Sequence, residues 1–356
     1  MSLQVTARWA QRGLDVDLTL PAGRHALAGP NGAGKSSLLS VIAGLAPADR
    51  SRIVLGGRSL DGVPPHRRRV VLMSQAAQLF PHLGVRDNVA FGPRSLGHGR
   101  RTARALANHW LEAVGMSAFA DRRPGGLSGG QAARVALARA LAAEPAALLL
   151  DEPLAALDVE ATPQMRAVLS DVTHERDDLV VVLATHDVLD VLTVCDGADD
   201  TLTVLGEQVE HGPVRAVLDR PRSGFTADLA GVNLVRARAG SGSGAQTRDD
   251  TGASTVIATG PHDVTGDCWV TFAPDAVSLH RDRPEGSPRN VWPGRVSRVE
   301  ALAGRVRVGL ESPFVMSAEI TPAALTEVPL RPGASVWVSV KATQVRVHPA
   351  HAGALS

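Results

Sequence analysis

The chain has 356 residues, 44% of them hydrophobic and 21% charged, with a formal net charge of +1. It is long enough for more than one packed domain and lacks the basic excess of nucleic-acid binders. Cys195 and Cys268 stand far apart, with neither metal-ligand nor redox spacing, and are expected to be reduced, partly buried thiols. No apolar run is long enough to span a bilayer and the first residues lack a signal-peptide core, so any membrane role is expected to come through a partner.

Residues 3–20 alternate apolar and polar, most clearly in Leu14–Leu20, and read as strands followed by a Pro21-Ala-Gly23 turn. His25–Ala28 reads as a short buried strand, and Gly29-Pro-Asn-Gly-Ala-Gly-Lys-Ser36 fits G-x-x-x-x-G-K-[ST] before a helix over 36–45. This pattern suits a triphosphate. Glycine lets backbone N–H groups approach the oxygens, the helix N-terminus favours anions, Lys35 brings a point charge, and the Ser36 hydroxyl can meet Mg²⁺. With Ser37 in the first helical turn, Gly29, Asn31, Gly32, Ala33, Gly34, Lys35 and Ser36 are the candidate nucleotide ligands.

Further along, Arg52–Leu55 reads as a strand, residues 64–69 as a basic loop, and residues 70–74 as a buried strand ending at Gln75. A mostly helical, alanine-rich lobe over about 76–145 contains Leu127-Ser-Gly-Gly-Gln131, followed by helical spacing over 132–143. Ala147–Leu150 reads as a strand capped by Asp151 and Glu152, then a loop to Asp158, a helix over 160–176, and a strand over 179–184 that ends in Thr185-His186-Asp187. This alternation argues for a parallel sheet with crossover helices. A short helix is expected over 213–219. Beyond about Val232 come short strands with glycine and proline turns, the pattern of a small all-β barrel. The Gly/Ser-rich stretch 239–245 is expected to be a long hairpin loop or hinge.

The order of the phosphate loop, Gln75, Leu127–Gln131, Asp151-Glu152 and His186 resembles the ATPase subunit of ABC transporters over about residues 1–222. That resemblance implies an α/β P-loop NTPase head with an inserted helical lobe that takes ATP and Mg²⁺. Phosphoryl transfer needs positioning and charge neutralisation more than covalent help. The implied roles follow. Ser36, Gln75 and Asp151 hold the metal, Glu152 polarises the attacking water, and Gln75 and His186 sense the γ-phosphate. Ser128, Gly129, Gly130 and Gln131 form a second anion site at a helix N-terminus, which in the family serves the nucleotide of the other subunit. The implication is a head-to-tail homodimer, with Asp158 matching the loop aspartate that crosses its interface. Tyrosine is absent, and Trp9 either stacks on adenine or belongs to the core.

Residues 76–92, with Leu79-Phe80-Pro81-His82, resemble the importer members of the family, in which this part of the lobe receives a permease helix; core packing is the other use of these side chains. The tail pieces Ser287–Val291, Gly294-Arg-Val, Ile320-Thr321, Leu330–Gly333 and Val336–Thr343 resemble the molbindin-like (Mop/TOBE) domain of molybdate importer ATPases, an OB-like barrel over about 287–350 reached through a connecting β segment over 223–286. The implied activity is ATP hydrolysis driving import of molybdate or tungstate. It would act at the cytoplasmic face of the membrane, with an integral-membrane permease and an extracytoplasmic solute-binding protein. Ser287, Arg289, Lys341 and Thr343 are candidate oxyanion ligands, or plain surface residues of the barrel. Import of sulfate, ferric iron, a polyamine or a sugar, and an oxyanion sensor or storage role, remain alternatives; nucleic acid is not an expected partner.

Overall fold

The computed structural model describes residues 1–350 apart from 156, 177, 207, 241, 249–253, 287, 303 and 329. It divides into two compact units between Val217 and Leu218.

In the first unit the alternating segment forms β1 (Ser2–Trp9) and β2 (Leu14–Pro21), paired antiparallel. Every second residue of β2 is buried, as a strand with one wet face requires. Next come β3 (Gly23–Ala28), α1 (Lys35–Ala43), β4 (Arg50–Leu55), β5 (Arg58–Ser59) and β6 (Val70–Met73). The helical lobe follows as α2 (Val85–Ser95), α3 (Arg100–Ala113) and α4 (Gly129–Ala142). The chain continues through β7 (Ala147–Asp151), α5 (Ala161–His174), β8 (Val180–Ala184), α6 (Val188–Val194), β9 (Thr201–Val204), β10 (Glu210–Pro213) and α7 (Val214–Asp219). A four-stranded sheet runs β2-β1-β4-β5, and a six-stranded sheet runs β10-β9-β3-β8-β7-β6. The pairs from β9 to β6 in that second sheet are parallel. β8 is buried along its whole length and β7 up to Asp151, which explains why both read as unbroken apolar runs.

Within the basic loop 64–69, Arg68 is held by the protein. Its guanidinium turns inward and donates to Val41 O, Ile42 O and Val63 O at 3.2, 3.0 and 2.8 Å, placing a cation on the carbonyl end of α1. A Cβ on Gly44 would lie 2.4 Å from this guanidinium, so the glycine makes room for it.

The second unit contains α8 (Gly224–Ala230), β11 (Asn233–Ala239), β12 (Gly242–Arg248), β13 (Ser254–His262), β14 (Gly266–Phe272) and β15 (Val277–His280). It continues with β16 (Asn290–Leu302), β17 (Arg305–Leu310), β18 (Met316–Ile320), α9 (Ala324–Glu327), β19 (Ser335–Val340) and β20 (Arg346–Pro349). Two five-stranded sheets, β13-β12-β11-β14-β20 and β15-β19-β16-β17-β18, share one apolar core that includes Val270, Trp292, Val308 and Val338. The expected β architecture is therefore present, as an OB-like arrangement of sheets. The long loop expected over 239–245 is corrected: β11 ends at Ala239 and β12 begins at Gly242. Glycine and serine backbones pair like any other once a partner strand is in register, and β13 supplies it, with a shift between Gly242 and Gly244. Cys195 and Cys268 are free and fully buried, not partly so, and burial pushes both thiols up.

Candidate functional site

Strand order assembles the site. β3, β8, β7 and β6 are successive neighbours, and their carboxyl ends lead into the phosphate loop, Thr185-His186, Asp151-Glu152 and Gln75 respectively. Ligands of open parallel sheets gather at that edge. Residues more than a hundred positions apart thereby meet around one cavity of about 310 Å³, lined by Asn31, Gly32, Ala33, Gly34, Lys35, Ser36, Ser37, Gln75, Asp151, Glu152 and Arg12.

The loop backbone has the conformation that glycine permits, with φ of 149°, 85° and 94° at Gly29, Gly32 and Gly34. At Gly29 space is limiting as well, since a Cβ there would meet Leu205 O at 2.6 Å. Lys35 is 6% exposed, and its Nζ donates to Gly29 O at 2.7 Å and Pro30 O at 3.3 Å and stands 3.9 Å from Glu152 Oε1. Ser36 Oγ donates to Asp151 Oδ1 at 3.0 Å. Burial pushes the Asp151 carboxyl above the usual carboxylate range and the Glu152 charge adds to this, while the Ser36 hydrogen bond and Lys35 oppose it.

Glu152 has φ 47°, a left-handed conformation uncommon for a side-chain-bearing residue. Two backbone bonds hold it there: its N–H donates to Ala184 O at 3.0 Å and its carbonyl accepts from Ala155 N at 3.2 Å. Its carboxylate reaches His186, whose Nδ1 lies 3.5 Å from Oε1. Glu152 and His186 also share a smaller adjacent cavity of about 160 Å³.

Other expected site residues lie apart from the phosphate cavity. Ser128 caps α4, its hydroxyl accepting from Gln131 N at 3.3 Å while Gln131 Oε1 accepts from Ser128 N at 3.0 Å. This capping box leaves Gly129 exposed and Gly130 half-buried in the first turn. Asp158 Oδ1 accepts from Ala161 N at 2.7 Å at the start of α5. Trp9 is half-buried against the apolar core, with the Arg12 guanidinium 5.6 Å from its ring centre. In the second unit Ser287 lies outside the described residues. Arg289 immediately precedes β16 and Lys341 immediately follows β19, whose facing ends are Asn290 and Val340, and Thr343 follows in a short 3-10 turn.

Arg12 was not singled out in the sequence, because no phosphate-loop motif includes it. The only signal is a cation three residues past Trp9, in the short turn between the first two strands. Arg12→Ala is expected to weaken ATP affinity about tenfold, the scale of one hydrogen bond to a charged group, with Arg12→Lys recovering part of it. Titration calorimetry decides this, and unchanged affinity removes Arg12 from the site.

A separate groove of about 370 Å³ runs between β6 and the helical lobe, with Phe91 and Leu96 47% and 51% exposed at its mouth. Leu79 and Phe80 are half-buried and Pro81 is exposed. The Phe80 ring lies 4.7 Å from Phe91 and under the Arg139 guanidinium at 5.1 Å. Buried Asn88 fixes this segment, accepting from Phe80 N at 2.8 Å and donating to Phe80 O, Leu83 O and Gly84 O. Among the described residues no helix is long and apolar enough to cross a membrane.

Residues 14–155 match the ABC transporter family model and residues 286–347 the TOBE domain model. Across 98% of this chain and 97% of the relative, the sequence is 46% identical to the molybdenum import ATP-binding protein ModC of Mycobacterium tuberculosis. It is 31% identical, over 94% of this chain and 95% of the relative, to the molybdate/tungstate import ATP-binding protein WtpC of Pyrococcus horikoshii. Identity to the sulfate/thiosulfate import ATP-binding protein CysA of Mycobacterium tuberculosis is 36%, over 93% and 87%.

Proposed function

Because the chain belongs to the ABC transporter ATP-binding subunits, we propose that its ATP hydrolysis drives import of molybdate or tungstate through a membrane permease fed by a solute-binding protein. The observation that carries the chemistry is Glu152 standing between Lys35 and His186 at the phosphate cavity. Glu152 takes the proton of the attacking water. Lys35 and the loop N–H groups hold the β- and γ-phosphates, and His186 steadies the γ-phosphate as charge moves to the leaving oxygen. Ser36, Gln75 and Asp151 are the donors for Mg²⁺. Asp151 suits a divalent cation because it is a desolvated carboxylate already bonded to the Ser36 hydroxyl. Among the described residues there is no cluster of three or more His, Cys, Asp and Glu, so protein oxygens would share the ion with substrate phosphates, as Mg²⁺ prefers. Bound there, the ion would supply neutralisation of the phosphate charge.

Ser128–Gln131 and Asp158 lie outside the phosphate cavity, and we assign them to the nucleotide of a second copy, giving two sites in a head-to-tail homodimer. The apolar groove with Phe80, Phe91 and Leu96 suits an amphipathic helix of the permease, which would place the chain at the cytoplasmic face of the membrane. Arg289, Lys341 and Thr343 are the described candidates for an oxyanion in the second unit.

Likeness to ModC over almost the whole chain favours molybdate over sulfate. Vesicles carrying the chain with its permease and solute-binding protein are expected to take up molybdate in an ATP-dependent manner and to leave sulfate outside. Preferential sulfate uptake would move the protein to the sulfate importers.

A further inference from the structure

Helix α5 runs between two parts of the proposed machinery. At its start Asp158 accepts from Ala161 N at 2.7 Å, and a Cβ on Gly130 would lie 3.2 Å from the Ala161 side chain. One turn on, Arg134 of α4 donates to Gln164 Oε1 at 2.6 Å. The first turns of α5 are thus joined to the loop and helix that carry Ser128–Gln131.

Further along, Arg166 leaves α5 in the opposite functional direction. It is 11% exposed and grips the loop that carries His186. Its Nε donates to Asp190 Oδ1 at 2.9 Å, and a terminal nitrogen donates to Asp190 Oδ1 at 2.5 Å and to Asp187 Oδ2 at 3.2 Å. Asp190, 7% exposed, accepts through its second oxygen from Thr185 Oγ1 at 2.7 Å. Thr185 Oγ1 accepts from Asp187 N at 3.1 Å, and Thr185 N donates to Leu27 O at 3.1 Å on β3. The residues on both sides of His186 are therefore pinned, whereas the imidazole is 57% exposed and meets Glu152 at 3.5 Å. A forked, planar guanidinium is the side chain that can bridge two carboxylates in fixed geometry.

We propose that Arg166 is a positioning residue for ATP hydrolysis: it fixes the Thr185–Asp187 loop against the first turn of α6 so that His186 faces Glu152, and it couples that loop through α5 to the Ser128–Gln131 half-site offered to the second copy. The proposal rests on the reading of His186 as the γ-phosphate contact. Arg166 is not among the residues that line the phosphate cavity, so its loss acts on turnover and leaves nucleotide capture intact.

The test is steady-state ATPase of the full chain, with ATP affinity and thermal melting measured in parallel. Arg166→Met combined with Asp190→Asn removes the buried pair together, and the remaining partner Asp187 is 43% exposed and still accepts from Leu189 N. The double variant is expected to lower kcat at least about tenfold while KM for ATP stays within about twofold. Arg166→Lys keeps the charge but lacks the fork, and is expected to lose about three- to tenfold in kcat. Wild-type kcat in the double variant overturns the proposal, as does a KM rise that accounts for the whole loss. Should the double variant not fold, Arg166→Lys decides alone, and wild-type kcat there overturns it. His186→Ala separates the two readings. Full activity in His186→Ala removes the premise, whereas an inactive His186→Ala beside fully active Arg166 variants removes the role of Arg166 alone.

Discussion

Glu152→Gln is expected to lower ATP turnover about 10²- to 10⁴-fold, the range over which a positioned general base acts, while ATP affinity is retained or improved. Glutamine has the same shape and the same number of backbone bonds. The N–H to Ala184 O and the carbonyl that accepts from Ala155 N keep residue 152 in its left-handed conformation. Only the proton acceptor and the negative charge disappear. Loss of the charge removes a carboxylate 3.9 Å from Lys35, so the loop faces an incoming triphosphate with less competing anion nearby. With the proposed two-copy site, ATP then closes the dimer and cannot be hydrolysed to open it. Size-exclusion chromatography with Mg–ATP is expected to show the variant as a stable dimer that reverts when ATP is removed. Full-rate hydrolysis by Glu152→Gln would falsify the assignment of this carboxylate as the base.

Lys35→Met is expected to weaken ATP binding by about 100-fold, the scale of losing charge-assisted bonds to two phosphates in a partly desolvated loop. Methionine keeps the aliphatic stem that fills the space behind the loop, where Lys35 is 6% exposed, so the melting temperature is expected to move by only a few degrees. Pro30 is exposed and water can replace its donor, whereas buried Gly29 O loses the Lys35 ammonium outright and accounts for the small shift in melting. Calorimetric titration with Mg–ATP checks the affinity. A loss smaller than about fivefold would mean that the loop N–H groups and the end of α1 carry binding without the ammonium.

Legibility in the sequence followed the kind of signal. β7 and β8 were visible because strands covered on both faces become short apolar runs, and the phosphate loop because its glycines answer a local steric demand. The encounter of Ser36 with Asp151, across 115 positions, was recognisable from the order of motifs, although spacing along a chain says nothing of distance in space. Arg12 escaped because its role comes from where a turn folds back, not from its neighbours in sequence. Arg68 reads in the sequence only as part of a basic loop, yet besides Val63 O its partners are carbonyls of α1 some 26 positions away. The Gly/Ser stretch misled for the opposite reason. Composition reports the freedom of the backbone, and the pairing with β13 that removes this freedom is non-local.

The pairing of β14 with β20 sets an order of events during synthesis. The parallel sheet of the first unit has its central strand β3 flanked once β8 and β9 exist, so this sheet can close when about residue 213 has left the ribosome. The second unit cannot follow in the same stepwise way. Cys268–Thr271 pair with Arg346–Pro349, and β19 separates β15 from β16. A nascent chain paused between these points carries a finished ATPase sheet and a tail with open strand edges, the exposed backbone that chaperones cover and that other paused chains can join.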